Sequence, residues 1–349
     1  MTRLRKNISV LVVSIIMLFI VSGYYCKNIR AQVNPSSNQI PTKIDVFLYD
    51  SNDKYISLVR QNFENIQGNN QGKIEFTFYD GMNDQSIQNK DINSVLQANK
   101  TDLILLDIVD IKKSREVINR IKEKGIPVIL FNREPLNMED VKSYNKAFFV
   151  GTDASQAGIL QGQILINMWK SNKNMDNNGN NIMEYVMLMG ERDNIEAVER
   201  TKYVILTINS DGIKTQELAL RVAGWNRNTA RSMIEALYLK YGKNIEAIIS
   251  NNDEMAIGAI EALQKYGYNK GDSAKIIPVV GVDGIPEALE LINQGIMTGS
   301  VLQDAQAMAE ATYKMGMNLV AGNAPLDNMT YEFDSTGVAI RIPYRQIIS

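Results

Sequence analysis

The stretch that most constrains the fold is residues 247–263, AIISNNDEMAIGAIEAL, where a short apolar run passes directly into a helical pattern. Residues 247–250 suit a buried strand, and Asn251, Asn252 and Asp253 follow them without a spacer. A strand that delivers polar side chains to a helix N-terminus is how open α/β sheets present a ligand site. Asp253 is predicted to cap this helix, and the alternative interpretation is an ordinary turn between a strand and a helix.

The same alternation of strand and helix recurs along the chain from Lys43 onward. Apolar runs typical of buried strands lie at 44–49, 74–79, 103–107, 126–131, 147–150, 185–189, 215–219, 247–250, 276–280, 296–302 and 337–342. Helical patterns separate most of them, which predicts parallel sheets covered by helices on both faces. The 349 residues are enough for two doubly wound α/β lobes.

Composition excludes several functional classes. The net charge of −2 provides no basic field for nucleic acid. The chain has one cysteine, Cys26, and no histidine, which excludes an intrachain disulfide, a Ser-His-Asp or Cys-His site and a histidine-ligated metal. A nucleotide-dependent dehydrogenase would need a glycine-rich turn after the first strand, whereas residues 49–55 read YDSNDKY. We therefore predict none of these enzyme classes.

Residues 1–31 are predicted to be a signal segment rather than part of the fold. Three basic residues near the N-terminus precede an apolar run at 8–22, which is short for a membrane span. The chain is therefore predicted to be exported, either to a periplasm or to the cell surface.

The mode of anchoring is left open by the sequence. Cys26 lies just beyond the apolar run, where a bacterial lipoprotein carries its lipid, although residues 22–25 (SGYY) match that recognition pattern poorly. Cleavage near Ala31 and an uncleaved anchor are the alternatives. Residues 32–42 are polar with two prolines and are interpreted as a tether.

Polar and aromatic residues follow seven of the predicted strand ends. They are Asp53 and Tyr55, Asn132 to Glu134, the segment 191–200, Trp225, Asn252 and Asp253, Asp283, and Gln303 with Asp304. Each residue alone is better explained as a helix cap or a solvated loop residue. Together they favour a sugar site, because aromatic rings stack on the apolar faces of a sugar, while carboxylates, Arg and Asn bind its hydroxyls.

A second motif is residues 176–184, DNNGNNIME. Oxygen-bearing side chains fall at positions 1, 3, 5 and 9, and position 7 can offer its carbonyl, which is the spacing of the first nine residues of an EF-hand-type calcium loop. Position 6 is Asn181, which tolerates positive φ, but position 12 is Met187. A bidentate carboxylate must therefore come from elsewhere, and a polar Asn-rich loop is the alternative.

Taken together, these features resemble the glucose/galactose-binding proteins of bacterial ABC sugar transport, within the type I periplasmic binding protein family. The resemblance extends over nearly all of residues 43–349. It is carried by NDQSIQN (83–89), IPVILFNREP (126–135), FFVGTDASQAGILQG (148–162), IEAIISNNDEMAIGAIEAL (245–263) and IPVVGVDGIPEAL (277–289).

The resemblance implies a sugar site with contributions from both lobes: Asp53, Tyr55, Asn132, Asn194, Glu196, Arg200, Trp225, Asn252, Asp283 and Gln303. Tyr55, in place of the usual Phe, and Trp225 would stack on the two faces of the ring. Asn194 stands where the family usually has His, Glu196 where it has Asp, and Gln303 where it has Asn. These differences leave the sugar and its anomer open.

The resemblance also implies a structural Ca²⁺ ion held by Asp176, Asn178, Asn180, the Ile182 carbonyl, Glu184 and the more distant Glu246. It implies two discontinuous lobes joined by a three-crossing hinge. The first lobe would comprise 43–150 and 304–332, and the second 151–303 and 333–349. The crossings would lie near 150–152, 302–304 and 331–337.

The implied function is the capture of a galactose- or glucose-like monosaccharide for delivery to the membrane subunits of an ABC permease, so the resemblance implies a protein that is not an enzyme. A sensor that presents its closed form to a membrane chemoreceptor is the alternative. The effector domain of a sugar-responsive repressor shares this fold, but it would need an N-terminal DNA-binding unit of about 60 residues. This chain has the predicted signal segment there instead.

Overall fold

The computed structural model describes residues 40–348, apart from the side chain of Lys173. The strands are β1 (Thr42–Leu48), β2 (Ile74–Asp80), β3 (Leu103–Leu106), β4 (Val128–Phe131), β5 (Ala147–Thr152), β6 (Ile182–Met189), β7 (Lys214–Val222), β8 (Ala247–Ser250), β9 (Val279–Asp283), β10 (Gly299–Leu302), β11 (Ala339–Ile342) and β12 (Arg345–Ile348).

The helices alternate with these strands. They are α1 (Lys54–Asn69), α2 (Gln85–Ala98), α3 (Ser114–Glu123), α4 (Glu139–Lys142), α5 (Ala154–Ser171), α6 (Ile195–Ser210), α7 (Arg227–Tyr241), α8 (Asp253–Lys265), α9 (Pro286–Asn293) and α10 (Ala305–Val320). Short 3₁₀ helices lie at Ile111–Lys113, Lys173–Met175, Gly242–Asn244 and Ser273–Lys275.

The strands form two six-stranded sheets, one for each lobe. The first has the order β11-β5-β4-β3-β1-β2 and is parallel throughout. The second has the order β12-β10-β9-β8-β6-β7, and its strands are parallel except for β12, which pairs antiparallel with β10. The prediction of two doubly wound α/β lobes is confirmed.

Each sheet is covered on both faces, which explains the unbroken apolar strands. All four residues of β3 and of β4 are buried. In the first lobe, Phe63 and Phe131 belong to the core on one face of the sheet, while Phe47 and Phe149 belong to the core on the other. The second lobe repeats this arrangement, because a parallel strand buried on both faces has no position that favours a polar residue.

Two glycines set the distance between α5 and α6. A Cβ at Gly158 would lie 2.7 Å from the Arg200 carbonyl oxygen and 2.9 Å from the Val204 nitrogen. One helical turn further on, a Cβ at Gly162 would lie 2.8 Å from the Thr207 Cβ. These glycines therefore allow the α6 backbone to approach closely, and α6 carries Arg200 to the ligand cavity described below.

The structure corrects the predicted course of the third crossing. Residues 331–337 were expected to cross and 333–349 to belong to the second lobe, but β11 pairs with β5 in the first sheet. Phe333 stacks on Phe148 of the first lobe with ring centroids 5.5 Å apart. This contact and the β11–β5 pairing retain the segment in the first lobe, so the chain crosses between β11 and β12, at Pro343 and Tyr344.

The other two crossings lie close to the predicted positions. β5 continues to Thr152 before α5 begins, and β10 ends at Leu302 before α10 begins. The Tyr344 hydroxyl lies 2.8 Å from Thr152 Oγ1 and donates to Gln303 Oε1 at 3.1 Å. All three crossings are therefore joined by hydrogen bonds to one side chain.

The predicted signal segment, Cys26 and residues 32–39 of the predicted tether lie outside the described residues. Within residues 40–348, none of the helices combines the length and the apolar character that a membrane crossing requires.

We expect Gly158→Ala to lower the free energy of unfolding by about 1–3 kcal/mol, because the added methyl group must displace the α6 backbone. Chemical denaturation monitored by circular dichroism measures the change. Gly68→Ala in α1 is the matched control: it has open space around its Cβ position and should stabilise the protein by about 0.4–1 kcal/mol. Equal stability of the two variants would contradict close packing at Gly158.

Candidate ligand site between the lobes

One cavity between the two lobes brings together every residue of the predicted sugar site. It contains about 390 Å³ of space free of protein atoms, including its opening to solvent. Its walls are formed by Asp53, Tyr55, Asn132, Asn194, Glu196, Arg200, Trp225, Asn252, Asp283 and Gln303, together with Tyr49 and Arg133.

Three of these residues are also helix N-caps. Asp53 accepts a hydrogen bond from Ile56 N at 3.0 Å, Asn194 from Ala197 N at 2.9 Å, and Asn252 from Met255 N at 3.0 Å. The cap fixes the rotamer of each side chain at the carboxyl end of its sheet. The two interpretations considered for such residues, cap and binding residue, are therefore compatible.

Asp253 has a different role from the predicted one, because Asn252 is the cap of α8. The Asp253 carboxylate is fully buried and accepts from Gly284 N at 2.7 Å, Ile285 N at 3.0 Å and Ser300 Oγ at 2.6 Å. It thereby holds the turn that follows Asp283, whose φ of 120° is rare for a non-glycine residue. Asp253 positions Asp283 without itself lining the cavity.

Trp225 reaches the cavity through an unusual turn after β7. Gly224 and Trp225 both have left-handed backbone conformations, with φ of 59° and 63°. A side chain at Gly190 would overlap the Trp225 indole, so this glycine makes room for the ring. Tyr55 is buried at the start of α1 and lines the same cavity from the first lobe. The two aromatic residues therefore line one shared space from different lobes.

Arg200 joins the cavity to the hinge. Its guanidinium donates to the Asn251 carbonyl at 2.8 Å, to Gln303 Oε1 at 2.7 Å and to the Tyr344 hydroxyl at 2.7 Å. Gln303 in turn donates to Asn132 Oδ1 of the first lobe at 3.3 Å. The guanidinium is therefore fixed in orientation, and it is linked to two of the three crossings.

Burial controls the ionisation of the acidic groups around the cavity. It raises the pKa of Asp53 and of Glu196, and it raises that of Asp283 well above its usual range despite the opposing effect of Arg200. A desolvated carboxylate is stabilised by hydrogen-bond donors. The cavity thus favours a ligand that brings several hydroxyl donors to these acids.

Two contributors, Tyr49 and Asp107, were not predicted from the sequence, and Arg133 was predicted only as part of the segment 132–134. Tyr49 donates to Asp53 Oδ2 at 2.5 Å, and the Arg133 guanidinium lies 4.6 Å from the centre of the Tyr49 ring. The buried Asp107 carboxylate accepts from Asn132 Nδ2 at 3.3 Å and from the Arg133 backbone N–H at 3.4 Å. The position of Asp107 directly after β3 was the one signal that could have revealed it.

Direct contacts between the lobes close the cavity. Arg133 pairs with Glu191 at 2.7 Å, and Lys112 with Asp193 at 2.5 Å. The Glu134 backbone N–H donates to Glu196 Oε1 at 3.0 Å. The structure is therefore a closed form in which each lobe binds the other directly around the cavity.

The predicted calcium loop lies at the start of β6, remote from the cavity lining. Asp176 accepts from the backbone N–H groups of Asn180 and Asn181, at 3.1 and 2.9 Å. The Asn178 and Asn180 amides both approach Glu184 Oε1, at 3.2 and 2.7 Å. Within residues 40–348, no three acidic or cysteine side chains are grouped closely enough to form a metal cluster.

Glu246 completes this arrangement, and it lies beside Glu184. Its carboxylate accepts from Asn177 N at 2.6 Å and from Glu184 N at 3.1 Å. Burial and the neighbouring Glu184 carboxyl raise the pKa of Glu246 to about 8. Glu184 Oε2 is buried and has no hydrogen-bond partner among the described residues. Two adjacent buried carboxylates with a free oxygen are an arrangement that a cation would stabilise.

Two α/β lobes that enclose a polar cavity define a class of two-lobed ligand-binding protein. Comparison with known proteins agrees: residues 44–324 match the family of the periplasmic binding protein domain. The D-galactose/methyl-galactoside binding periplasmic protein MglB of Haemophilus influenzae is 34% identical over 303 residues, which cover 86% of this chain and 88% of that protein.

Two further proteins are similar at lower identity. The xylitol-binding protein of Mycolicibacterium smegmatis is 25% identical over 289 residues, covering 82% of this chain and 74% of that protein. A crystal structure of an ABC transporter solute binding protein from Bacillus halodurans C-125 with bound myo-inositol has a TM-score of 0.72 at 24% identity, covering 89% of this chain and 96% of that one.

The chain therefore belongs to the periplasmic binding protein family. Its members are solute-binding proteins rather than enzymes, so the prediction that this chain is not an enzyme is confirmed. The predicted resemblance to the type I periplasmic sugar-binding proteins is confirmed as well.

We expect the double variant Arg133→Ala, Glu191→Ala to open the ligand-free protein. Removing both partners leaves neither member of this interlobe pair as an unpaired charge, and a loss of about 1–2 kcal/mol would shift the ratio of open to closed molecules about 5–30-fold. Single-molecule fluorescence transfer between dyes on the two lobes measures this ratio. Arg60→Ala, which breaks an exposed pair with Glu64 within α1, is the control. Indistinguishable distance distributions would refute the role of the pair.

Proposed function

We propose that this chain captures a monosaccharide in the interlobe cavity and delivers it to the membrane subunits of an ABC permease. The observation that most supports this proposal is the convergence of Tyr55 and Trp225, from opposite lobes, on one cavity that is otherwise lined by carboxylates, Arg and amides. Aromatic residues that line the cavity from two lobes suit the two apolar faces of a pyranose. The polar residues between them suit its rim of hydroxyls.

We propose more specifically that the monosaccharide is a galactose- or glucose-like hexose. Its support is the 34% identity with a protein named for D-galactose and methyl-galactoside, over most of both chains. The cavity also carries the acids and amides needed for several hydroxyls at once. Asn194, Glu196 and Gln303, where this chain departs from the residues usual in the glucose/galactose-binding proteins, are the positions at which the preferred sugar would be altered.

The geometry suggests how binding is coupled to closure. In an open form, a sugar would first contact one lobe, and rotation about the crossings would bring the other lobe onto it. Arg200 would then bond the ligand while remaining attached to Gln303 and Tyr344 at the hinge. A ligand that contacts both lobes favours the closed form by its differential affinity, and the permease would recognise that form.

We further propose that the chain acts outside the cytoplasm. Its family consists of periplasmic binding proteins, and residues 1–31 have the pattern of a signal segment. Attachment through a lipid on Cys26 is the corresponding proposal for anchoring. Mass spectrometry of the mature protein from bacterial membranes would detect the acylated N-terminus or cleavage near Ala31.

We expect Trp225→Ala to weaken binding of D-galactose and D-glucose by at least about 2 kcal/mol, or about 30-fold, because the aromatic ring that would stack on the sugar is lost. Isothermal titration calorimetry measures the change, and circular dichroism verifies that the fold is retained. Tyr238→Ala removes an aromatic ring that stacks on Tyr266, outside the cavity lining, and should leave the affinity unchanged. Unaltered affinity of Trp225→Ala would refute the proposed stacking.

The fit of a calcium ion rests on two carboxylates, Glu184 near the start of β6 and Glu246 just before β8. Glu184 and Glu246 lie together, Glu184 has an oxygen without a protein partner, and the loop supplies further oxygen side chains from Asp176, Asn178 and Asn180. We propose that these residues, with the Ile182 carbonyl, hold Ca²⁺, a hard cation that binds oxygen ligands. The ion would neutralise the paired acids and fix the loop to β8.

We expect Ca²⁺ to raise the melting temperature of EDTA-treated protein, since an ion at 100 times its dissociation constant stabilises the folded state by about 2.7 kcal/mol. Differential scanning calorimetry measures this shift. Glu246→Gln should abolish it, because the variant removes the charge that the ion would neutralise. Glu290→Gln, an exposed acid on α9, should retain the shift. Equal shifts for both variants would place the ion elsewhere or exclude it.

A further inference from the structure

The Tyr55 hydroxyl is a buried polar group without a protein partner at the edge of the cavity. Tyr55 has only 4% of its surface exposed, and its ring lines the cavity. Its hydroxyl forms no hydrogen bond with any residue of the described part of the chain. A phenol hydroxyl can donate one hydrogen bond and accept others, and leaving it buried without a partner is unfavourable.

The neighbours of this hydroxyl are already occupied. The Gln303 side chain lies within reach of it but outside hydrogen-bond geometry, and the charges of Tyr344 and Arg200 act on it as well. Gln303 Oε1 accepts from Arg200 and from Tyr344, and its amide nitrogen donates to Asn132. The Tyr344 hydroxyl bonds to Arg200 and Gln303 and also lies 2.8 Å from Thr152 Oγ1. The acceptor atoms around Tyr55 are therefore occupied, so its hydroxyl proton has no free acceptor there, and the remaining donor is the second N–H of the Gln303 amide.

A second unpartnered atom lies on the opposite lobe. Glu196 Oε1 accepts from the Glu134 backbone N–H, but Glu196 Oε2 is buried without a partner in the described residues. Both residues line the same cavity. A ligand that satisfied Tyr55 and Glu196 together would bridge the two lobes.

We propose that the Tyr55 hydroxyl binds one oxygen of the sugar at the hinge side of the cavity, and that it thereby selects sugars carrying that oxygen over the corresponding deoxy sugars. This inference rests on the proposed sugar-binding function. Tyr55 would then act in two ways: its ring stacks on the sugar, as the resemblance implies, and its hydroxyl discriminates between sugars. A phenylalanine at this position could perform only the first role.

The test is a set of titrations of the purified, full-length mature protein with D-galactose, D-glucose and each of their monodeoxy analogues. Calorimetry on the natural protein should show a loss of about tenfold for the analogue that lacks the contacted oxygen. Tyr55→Phe should bind the parent sugar about tenfold more weakly and should bind that one analogue as well as the natural protein does. Among the hydroxyl positions of the sugar, only the one contacted by Tyr55 should show this non-additive effect of the substitution and the deoxy change.

Tyr344→Phe is the matched control, since it removes a neighbouring hydroxyl that is fully bonded within the protein. It should lower the melting temperature of the ligand-free protein and weaken binding of all the sugars alike. Tyr55→Phe should leave that melting temperature unchanged or raise it, because its hydroxyl has no protein partner to lose.

Three outcomes would overturn the inference while leaving the proposed function intact. They are unchanged affinity of Tyr55→Phe for every sugar, an equal loss for every sugar, and a fall in ligand-free melting temperature as large as that of Tyr344→Phe. Absence of binding of any of these sugars to the natural protein at millimolar concentration would instead overturn the proposal of a galactose- or glucose-like hexose.

Discussion

The closed structure depends on the hydrogen bonds that Arg200 and Tyr344 make at the base of the cavity. The Arg200 guanidinium binds Gln303 and Tyr344, and the Tyr344 hydroxyl also contacts Thr152. Residues from the three chain crossings and a residue of the ligand cavity thus share one network in the dry interior. In such an environment hydrogen bonds are strong and unpaired groups are costly. A change in the position of Arg200 is therefore directly coupled to the hinge.

Much of the fold followed from the sequence because parallel strands buried on both faces give a clear signal. The apolar runs of β3 and β4, with turns and helical patterns between runs, were sufficient to predict the sheet type and the two lobes. The same reasoning located the site, since polar residues after strand ends must meet at the carboxyl edges of the two sheets. All ten predicted site residues line one cavity, although their contact with a sugar stays a prediction.

What the sequence could not specify depends on contacts between distant residues. The course of residues 331–338 is set by the stacking of Phe333 on Phe148 and by the pairing of β11 with β5. The segment 331–336 has no periodicity of its own. Tyr49 reads as the last residue of an apolar strand, and only its bond to Asp53 shows its second role. The sequence predicts Asp253 as a cap because the groups that donate hydrogen bonds to its carboxylate, Gly284 N and Ser300 Oγ, lie 31 and 47 residues further along the chain.

The double use of Asp53, Asn194 and Asn252 limits how a protein of this design can acquire a new ligand. Each of these side chains closes the first turn of a helix, so replacing it with a residue that cannot cap would cost about 0.5–2 kcal/mol of stability. Within residues 40–348, no helix is capped by the side chains of Tyr55, Glu196 or Gln303. Divergence of ligand preference at these three positions therefore leaves the helix caps intact, and all three are among those where this chain differs from the residues usual in its sugar-binding relatives.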